Sequence, residues 1–375
     1  HYAGGAGRIP EQLMEAVARK KFACPACGAE AHWNPGKQAL VCGYCGTTAP
    51  MAEPPGEEVI KEHDLVAALR ELPDEKRGWK STKVSVKCQS CQAISVLDPE
   101  RVAQSCDFCG SAQIVPYDQI KPPISPESLL PFKVDRTVVR DSIRRWYQTR
   151  WFAPNRLKKA ALTDTVRGVY LPYWTFDAQA HAHWTADSGY YYYTTETYRD
   201  AQGRTQTRQV RHIRWRPSSG QLQHFFDDEL VPASRGMHAD LLRKIEPFPT
   251  KQLTGYAPSY VAGWLVEQYQ LDLVGAAQHS RGRMEQQLRS MCASQVPGDT
   301  HRNLQVSSNY TQQTFKHVLL PVWFVSYNYG SKAFQVLVNG DTGEIAGEYP
   351  KSFWKIFFLV LTLAVIGLII FAFNR

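Results

Sequence analysis

The chain has 375 residues, 43% of them hydrophobic, and a formal net charge of +8. That length allows more than one domain and that apolar fraction supports a sizeable core, which excludes a disordered tail or a collagen-like rod. The mild basic excess favours anionic partners: nucleic acid, acidic protein or anionic lipid. Residues 1–10 hold Gly and Ala but no apolar run, so no signal peptide is read there.

The first element, over residues 20–50, is a ribbon built on Cys24-Pro-Ala-Cys27 and Cys42-Gly-Tyr-Cys45. A second, over 84–116, is built on Cys88-Gln-Ser-Cys91 and Cys106-Asp-Phe-Cys109. Fourteen residues separate the pairs in both, and the units superpose at an offset of 64, with Asn34 on Asp98, Pro35 on Pro99 and Gly46 on Gly110. That is an internal repeat. Each C-x-x-C is a tight knuckle aiming two sulfurs at one point, and a glycine after the second cysteine admits positive φ. Four thiolates close a tetrahedral site with no open position, so two structural Zn2+ ions are expected; iron in the same geometry and a redox dithiol are the lesser alternatives. Thiolate ligands require a reducing compartment.

Neither ribbon carries the charge that phosphate neutralisation needs: residues 80–120 set Lys80, Lys83, Lys87 and Arg101 against Asp98, Glu100, Asp107 and Asp118. Tyr44 and Phe108, between their cysteines, suit either protein contact or shielding of the metal. Between the ribbons, 51–83 is a helical linker in which Leu65, Leu69 and Leu72 mark a short amphipathic helix. Residues 117–131, with Pro122, Pro123 and Pro126, form a Pro-rich linker.

Residues 132–350 predict a basic, aromatic α+β domain with antiparallel sheet. Val139, Ile143, Trp146 and Tyr147 recur at helical spacing, and from Lys133 to Arg167 ten Lys and Arg face three Asp. Arg140, Arg144, Arg145, Arg150, Lys158 and Lys159 are therefore candidate contacts for anionic lipid or phosphate, or else a solvated helix face. Tyr190–Tyr193 through Tyr198, the turn Ala201-Gln-Gly-Arg204 and the run to Arg216 predict a long hairpin. Arg208, Arg214 and Arg216 share a face of it with Arg204 and His212, fit for nucleic acid or for charge protection of an exposed edge. Val169–Phe176 and Leu319–Tyr327 place an apolar residue, Pro and an aromatic in the same order and predict similar strands, the second leading to a hairpin turn at Asn339–Gly343.

Catalytic signatures are missing. No G-x-x-x-x-G-K-[ST] or G-x-S-x-G occurs, Asp227-Asp228-Glu229 lacks a phosphate loop, and Cys292 reads as a small helix residue. His181 and His183 share a strand face without an evident third ligand. The chain is expected not to be an enzyme.

Residues 353–373 predict a transmembrane helix. Ile356 to Phe373 is 18 residues without a charge, 14 of them Leu, Ile, Val or Phe. At about 1.5 Å per residue this segment spans roughly 27 Å, close to a hydrocarbon core. Trp354 and Lys355 sit where an interfacial belt and a snorkelling cation belong. Lys351 and Lys355 before the helix, together with the thiolate requirement, place the N-terminal bulk in the cytoplasm, making this a single-pass protein of the inner (cytoplasmic) membrane.

Taken together with Phe226–Ser234 (Phe-Asp-Asp-Glu-Leu-Val-Pro-Ala-Ser), Gly255–Gly263, Glu267-Gln-Tyr269, Lys316–Trp323 and Val338–Glu344, the ribbons make the chain resemble a bacterial family of tail-anchored double zinc-ribbon membrane proteins. Members often carry the label "primosomal protein N-prime (replication factor Y), superfamily II helicase", yet this sequence has none of the motifs a helicase needs. Relatives occur beside phage-shock and SPFH-type membrane proteins, so the resemblance implies a protein partner of that kind and a role at a stressed membrane. The expectation is a non-enzymatic membrane-anchored scaffold whose ribbons recruit a partner. The alternative is a membrane-tethered nucleic-acid binder.

Overall fold

A computed structural model describes residues 22–51, 60–70, 84–89, 93–97, 106, 114–116, 124–154, 166–199, 201, 203–329 and 332–373. In chain order, a small antiparallel sheet of β1 (Ala31–Asn34), β2 (Ala39–Cys42) and β3 (Thr48–Ala49) precedes β4 (His63–Asp64) and helix α1 (Leu65–Arg70). Strands β5 (Val84–Cys88), β6 (Ile94–Leu97), β7 (Ile114–Pro116) and β8 (Ser128–Leu129) lead to helix α2 (Arg136–Gln148). Two long strands follow, β9 (Arg167–Arg199) and β10 (Thr205–Pro232), then α3 (Ala239–Lys244), β11 (Thr254–Gly255), β12 (Leu265–Glu267) and α4 (Leu273–Gln295). A third long strand, β13 (Thr300–Tyr329), precedes β14 (Lys332–Asn339), β15 (Ile345–Gly347) and helix α5 (Phe353–Phe373). Mixed helices, antiparallel sheet and one apolar C-terminal helix match the α+β expectation.

The three long strands form the frame. β9 lies between β10 and β13, antiparallel to both. Its first third is covered on both faces, so burial is unbroken from Val169 to Ala178 and, on β13, from Phe315 to Val325. These stretches contain the two Pro-aromatic motifs, which prove to be antiparallel neighbours, with Tyr170 opposite Pro321 and Pro172 opposite Leu319. On one face Val169, Leu171 and Tyr173 meet Leu241, Leu242, Ile245 and Phe248. On the other, Tyr170 and Trp323 join Phe132 and the buried face of α2: Val139, Ile143, Trp146 and Tyr147. Asp135 caps α2, its carboxylate accepting from the Thr137 N–H at 2.8 Å.

Farther along β9 the pattern turns to strict alternation. Trp174, Phe176, Ala178, Ala180, Ala182, Trp184 and Ala186 are buried in one cluster with α4. The small alanines let the helix lie close, and α4 answers with a seam of Leu273, Ala276, Ser280, Met284, Leu288 and Cys292. Sequence reading missed this helix apart from Cys292.

Beyond Gly189, which pairs with Thr300 at the start of β13, only β9 and β10 continue, to Arg199 and Thr205. The predicted hairpin is therefore the tip of a much longer ribbon. A Cβ on Gly189 would meet Thr300, Trp215 and Ile213 within 2.9 Å, so the root of this two-stranded arm is packed without space for a larger residue.

Both ribbons join the frame. Trp33 donates its indole N–H to the Phe132 carbonyl at 3.2 Å and accepts from the Trp264 indole at its own carbonyl at 3.1 Å. β6 of the second repeat pairs with β12, and β12 pairs in parallel with β9, so the sheet carrying Cys88 is continuous with the frame. The predicted helix of the linker holds Leu65 and Leu69, while Leu72 lies outside the described residues; a strand precedes it, in which His63 and Asp64 pair with Phe315 and Thr314 of β13, and the Asp64 carboxylate accepts from the Ala67 N–H at 2.7 Å, so the helix starts at Leu65.

Candidate metal centre and two basic surfaces

The sulfurs of Cys24, Cys27, Cys42 and Cys45 all lie within 4.8 Å of one another. Three of the separations are 3.4, 3.5 and 3.6 Å. A tetrahedral site with metal–sulfur bonds of about 2.3 Å has sulfur–sulfur edges of about 3.8 Å, so the donor set fits a four-thiolate metal ion. The backbone explains the convergence. Gly28 and Gly46 follow the second cysteine of each knuckle at φ +74° and +75°, and their N–H groups donate to the Cys24 and Cys42 carbonyls at 2.9 and 3.0 Å.

The crowded thiols do not titrate alike. Hydrogen bonds with Thr47, helped by Cys24 and Cys27, draw Cys45 down to about 6. Cys27 has a favourable backbone bond at Ala29, but its bonds with the neighbouring thiols push it up to about 12. Four sulfurs this close cannot all carry charge without a cation among them. Tyr44 is 88% exposed, so its ring does not shield the sulfurs.

In the second repeat Cys88 and Cys106 are buried in one cluster with Ala93, while Cys91, Cys109 and Phe108 lie outside the described residues. One feature of the repeat recurs at the offset of 64. The Cys88 N–H donates to the Ala93 carbonyl at 2.9 Å, as Cys24 does to Ala29 at 2.7 Å and Cys42 to Thr47 at 2.9 Å. Three knuckles thus close on the same five-residue bond.

The candidate basic residues are not brought together. Arg140, Arg144 and Arg145 lie on α2, and Arg150 lies just after it, where the chain meets the start of α5. There the Ser352 N–H donates to the Phe152 carbonyl at 2.8 Å, and Lys355 Nζ donates to the carbonyls of Trp151 and Ala153 at 2.9 and 2.8 Å. Lys355, read as a snorkelling cation, thereby fastens the chain after α2 to the first turn of α5. Trp151, Phe353 and Trp354 are exposed around this junction, and Arg150 lies over the Trp146 ring at 4.9 Å. Helix α5 itself is 0% buried over Phe353–Ala372 and is long and apolar enough to cross a membrane. Lys158 and Lys159 lie outside the described residues.

Arg208, Arg214 and Arg216 lie at the opposite end, on or beside the arm. Register places them on one face with Tyr190, Tyr192 and Tyr198. Arg208 stacks over Tyr198 at 5.6 Å, Arg214 over Tyr192 at 5.4 Å and Arg216 over Tyr190 at 5.8 Å. From Arg167 to the arm root is 22 residues, roughly 70 Å of strand, so the two basic groups are far apart.

Among the described residues no third ligand gathers at His181 and His183. Cys292 is buried in the α4 seam, which pushes its thiol pKa up. Asp228 sits in a β-bulge at φ 52° and pairs with Lys316 at 2.9 Å, and Glu229 pairs with Arg283 at 2.7 Å. Sequence reading missed Lys316, whose partners Glu62 and Asp228 come from distant segments. A shallow cleft of about 430 Å³ between α4 and the start of β13 is lined by Arg289, His301, Arg302 and Asn303. Arg289 donates to the Leu304 carbonyl at 3.1 Å, while Arg302 and Asn303 both reach Asp187 at 3.2 and 2.9 Å, so these groups brace the arm root.

No protein-family model matches the chain, and no solved structure matches it. A Bacillus subtilis (strain 168) protein described as "Uncharacterized protein YdjG" is 25% identical to it over 342 residues, which span 89% of this chain and 91% of that one.

Proposed function

We propose that this chain is a non-enzymatic scaffold held in a membrane by α5, with zinc in both four-cysteine ribbons, and that it recruits a protein partner there. The observation that carries the reading is the junction at the anchor. Basic helix α2, the exposed rings of Trp151 and Trp354 and the first turn of α5 are tied together by the Lys355 and Ser352 hydrogen bonds. Aromatic rings at the interface and arginines just outside it are what an anionic leaflet selects. The recurring knuckle bond at Cys88 supports a second zinc site on the pattern of the first.

Thiolate ligands and the lysines flanking α5 favour the N-terminal bulk in the cytoplasm, in a single-pass protein of the inner membrane. A four-thiolate site leaves no position for an activated water, which favours binding over catalysis. Resemblance alone suggests a phage-shock or SPFH-type partner.

The test is an affinity pull-down of the full chain from detergent-solubilised membranes, beside a Cys24→Ser variant. The scaffold reading expects a stoichiometric partner that Cys24→Ser loses. The same capture by both chains, or ATP turnover abolished by a single side-chain change, would overturn it.

A further inference from the structure

The arm beyond Gly189 has no role in the scaffold reading. It carries ten residues of β9 past the last three-stranded pair, about 33 Å of strand. Isolated two-stranded ribbons are marginal in water, so a chain that keeps one has something else for it to hold. Between residues 189 and 216 there are six arginines against Glu196 and Asp200. Tyr190, Tyr192, Tyr193 and Tyr198 are between 38% and 61% exposed.

Charge lies on both faces. Arg208, Arg214 and Arg216 occupy the face of Tyr190, Tyr192 and Tyr198, while Arg211 stacks over Tyr191 at 4.4 Å on the other. Among the described residues of the arm Glu196 is the one acid on the first face, and it pairs with Arg208 at 3.0 Å. A surface resting on a flat bilayer or a globular protein needs cations on one face only. Cations on both faces suit a concave anion with two walls.

We propose that this arm inserts into the major groove of double-stranded DNA. That groove is about 12 Å wide and admits a two-stranded β-ribbon. The arm's roughly 33 Å matches about one turn of the duplex. In this pose Arg208, Arg214 and Arg216 meet phosphates of one wall and Arg211 those of the other. Tyrosine rings stacked on guanidinium planes hold the arginines extended, and Arg208 exchanges its Glu196 partner for a phosphate. The same stacking occupies one face of Tyr190, Tyr191, Tyr192 and Tyr198, which leaves less room for unpaired bases and favours a duplex over a single strand. The deep, narrow major groove of duplex RNA does not admit such a ribbon. Contact is mainly with phosphate, so binding is sequence-tolerant and steeply salt-dependent.

The experiment uses the full chain in lipid nanodiscs and a fluorescein-labelled 20-base-pair DNA, with anisotropy read between 50 and 200 mM salt. The triple variant Arg208→Gln, Arg214→Gln, Arg216→Gln is expected to bind at least tenfold more weakly at low salt and to lower the log–log salt slope by about 3. The matching triple Lys variant is expected to keep the slope, which separates lost charge from a misfolded arm. Arg243→Gln with Lys244→Gln, both exposed on α3, is expected to change neither quantity. Equal affinity and slope for wild type and the Gln triple overturn the proposal. So does a single strand bound more tightly than the duplex. Competition by polyglutamate as effective as by unlabelled duplex assigns the arm to acidic protein instead.

Discussion

Lys316 is the most informative side chain to remove. Its side chain is 8% exposed, with Nζ 2.9 Å from Asp228, itself 9% exposed, and 3.0 Å from Glu62. Asp177 closes the group: it accepts from the Asp228 N–H at 2.6 Å and from the Thr314 hydroxyl at 3.0 Å. Burial raises the Asp177 carboxyl pKa and works against the Lys316 charge, but bonds to Asp228 and Glu62 more than restore that charge. Lys316→Met keeps the aliphatic length and leaves two buried carboxylates side by side. Breaking a buried pair in this way costs about 3–5 kcal/mol. The exposed Glu62 contributes under about 1 kcal/mol of that. For a body of this size each kcal/mol moves Tm by about 2–4 °C, so a fall of roughly 6–20 °C is expected. The assay is tryptophan fluorescence on heating in detergent at fixed protein concentration. Adding Asp228→Asn to Lys316→Met removes the stranded charge and should recover more than half of the loss. A Lys316→Met melting point within 2 °C of wild type, or no recovery in the double variant, would refute the reasoning.

Metal analysis of the purified chain is expected to give two zinc ions, and Cys24→Ser with Cys42→Ser to give one; one or none in wild type sinks the second site. Trp33→Ala removes a buried indole and its hydrogen bond to the Phe132 carbonyl, at a cost of about 3–5 kcal/mol; limited proteolysis should then cut between β3 and β4 before the frame, and an unchanged digest would show that Trp33 does not dock the ribbon. Burial pushes Glu246 from 4.5 up to about 7 although Arg283 opposes it, so between those values the folded chain holds a proton that the unfolded chain has lost. Stability should therefore fall as pH rises through that window, by roughly 3 kcal/mol, and Glu246→Gln should remove this component. The quantity to measure is the difference in Tm between wild type and Glu246→Gln from pH 4.5 to 7.5; a difference flat with pH contradicts it.

What could be read in advance was what local chemistry dictates. Helix α5 runs from Phe353 to Phe373 as the apolar run predicts, and α2 buries the four residues its spacing named. The first cysteine set converges because two knuckles and two glycines suffice to aim four sulfurs. Helix α4 was illegible because its buried seam is narrow and partly small or polar, with Ala276, Ser280 and Cys292 among its members. Hydropathy has no contrast there; only the alanine row on β9 makes that seam a core. The Lys316 group was illegible for a different reason: residues 62, 177, 228 and 316 are joined by register alone. The arginines of α2 and of the arm were visible as charge, but no property of the sequence set them at opposite ends of one ribbon.

Gly189 also divides the chain into two solvent-exchange regimes. Before it, β9 has a partner strand on either side, so its amide hydrogens are held and open only with the frame. After it only β10 remains; the Tyr191 N–H still donates to the Asp299 carboxylate at 2.7 Å, and beyond that residue every second N–H of each strand points to open water. Deuterium uptake along β9 should therefore be uniformly slow to Tyr191 and then alternate, residue by residue, between slow and fast out to Arg199. A ligand gripping the arm by its outer edges would silence the fast positions first.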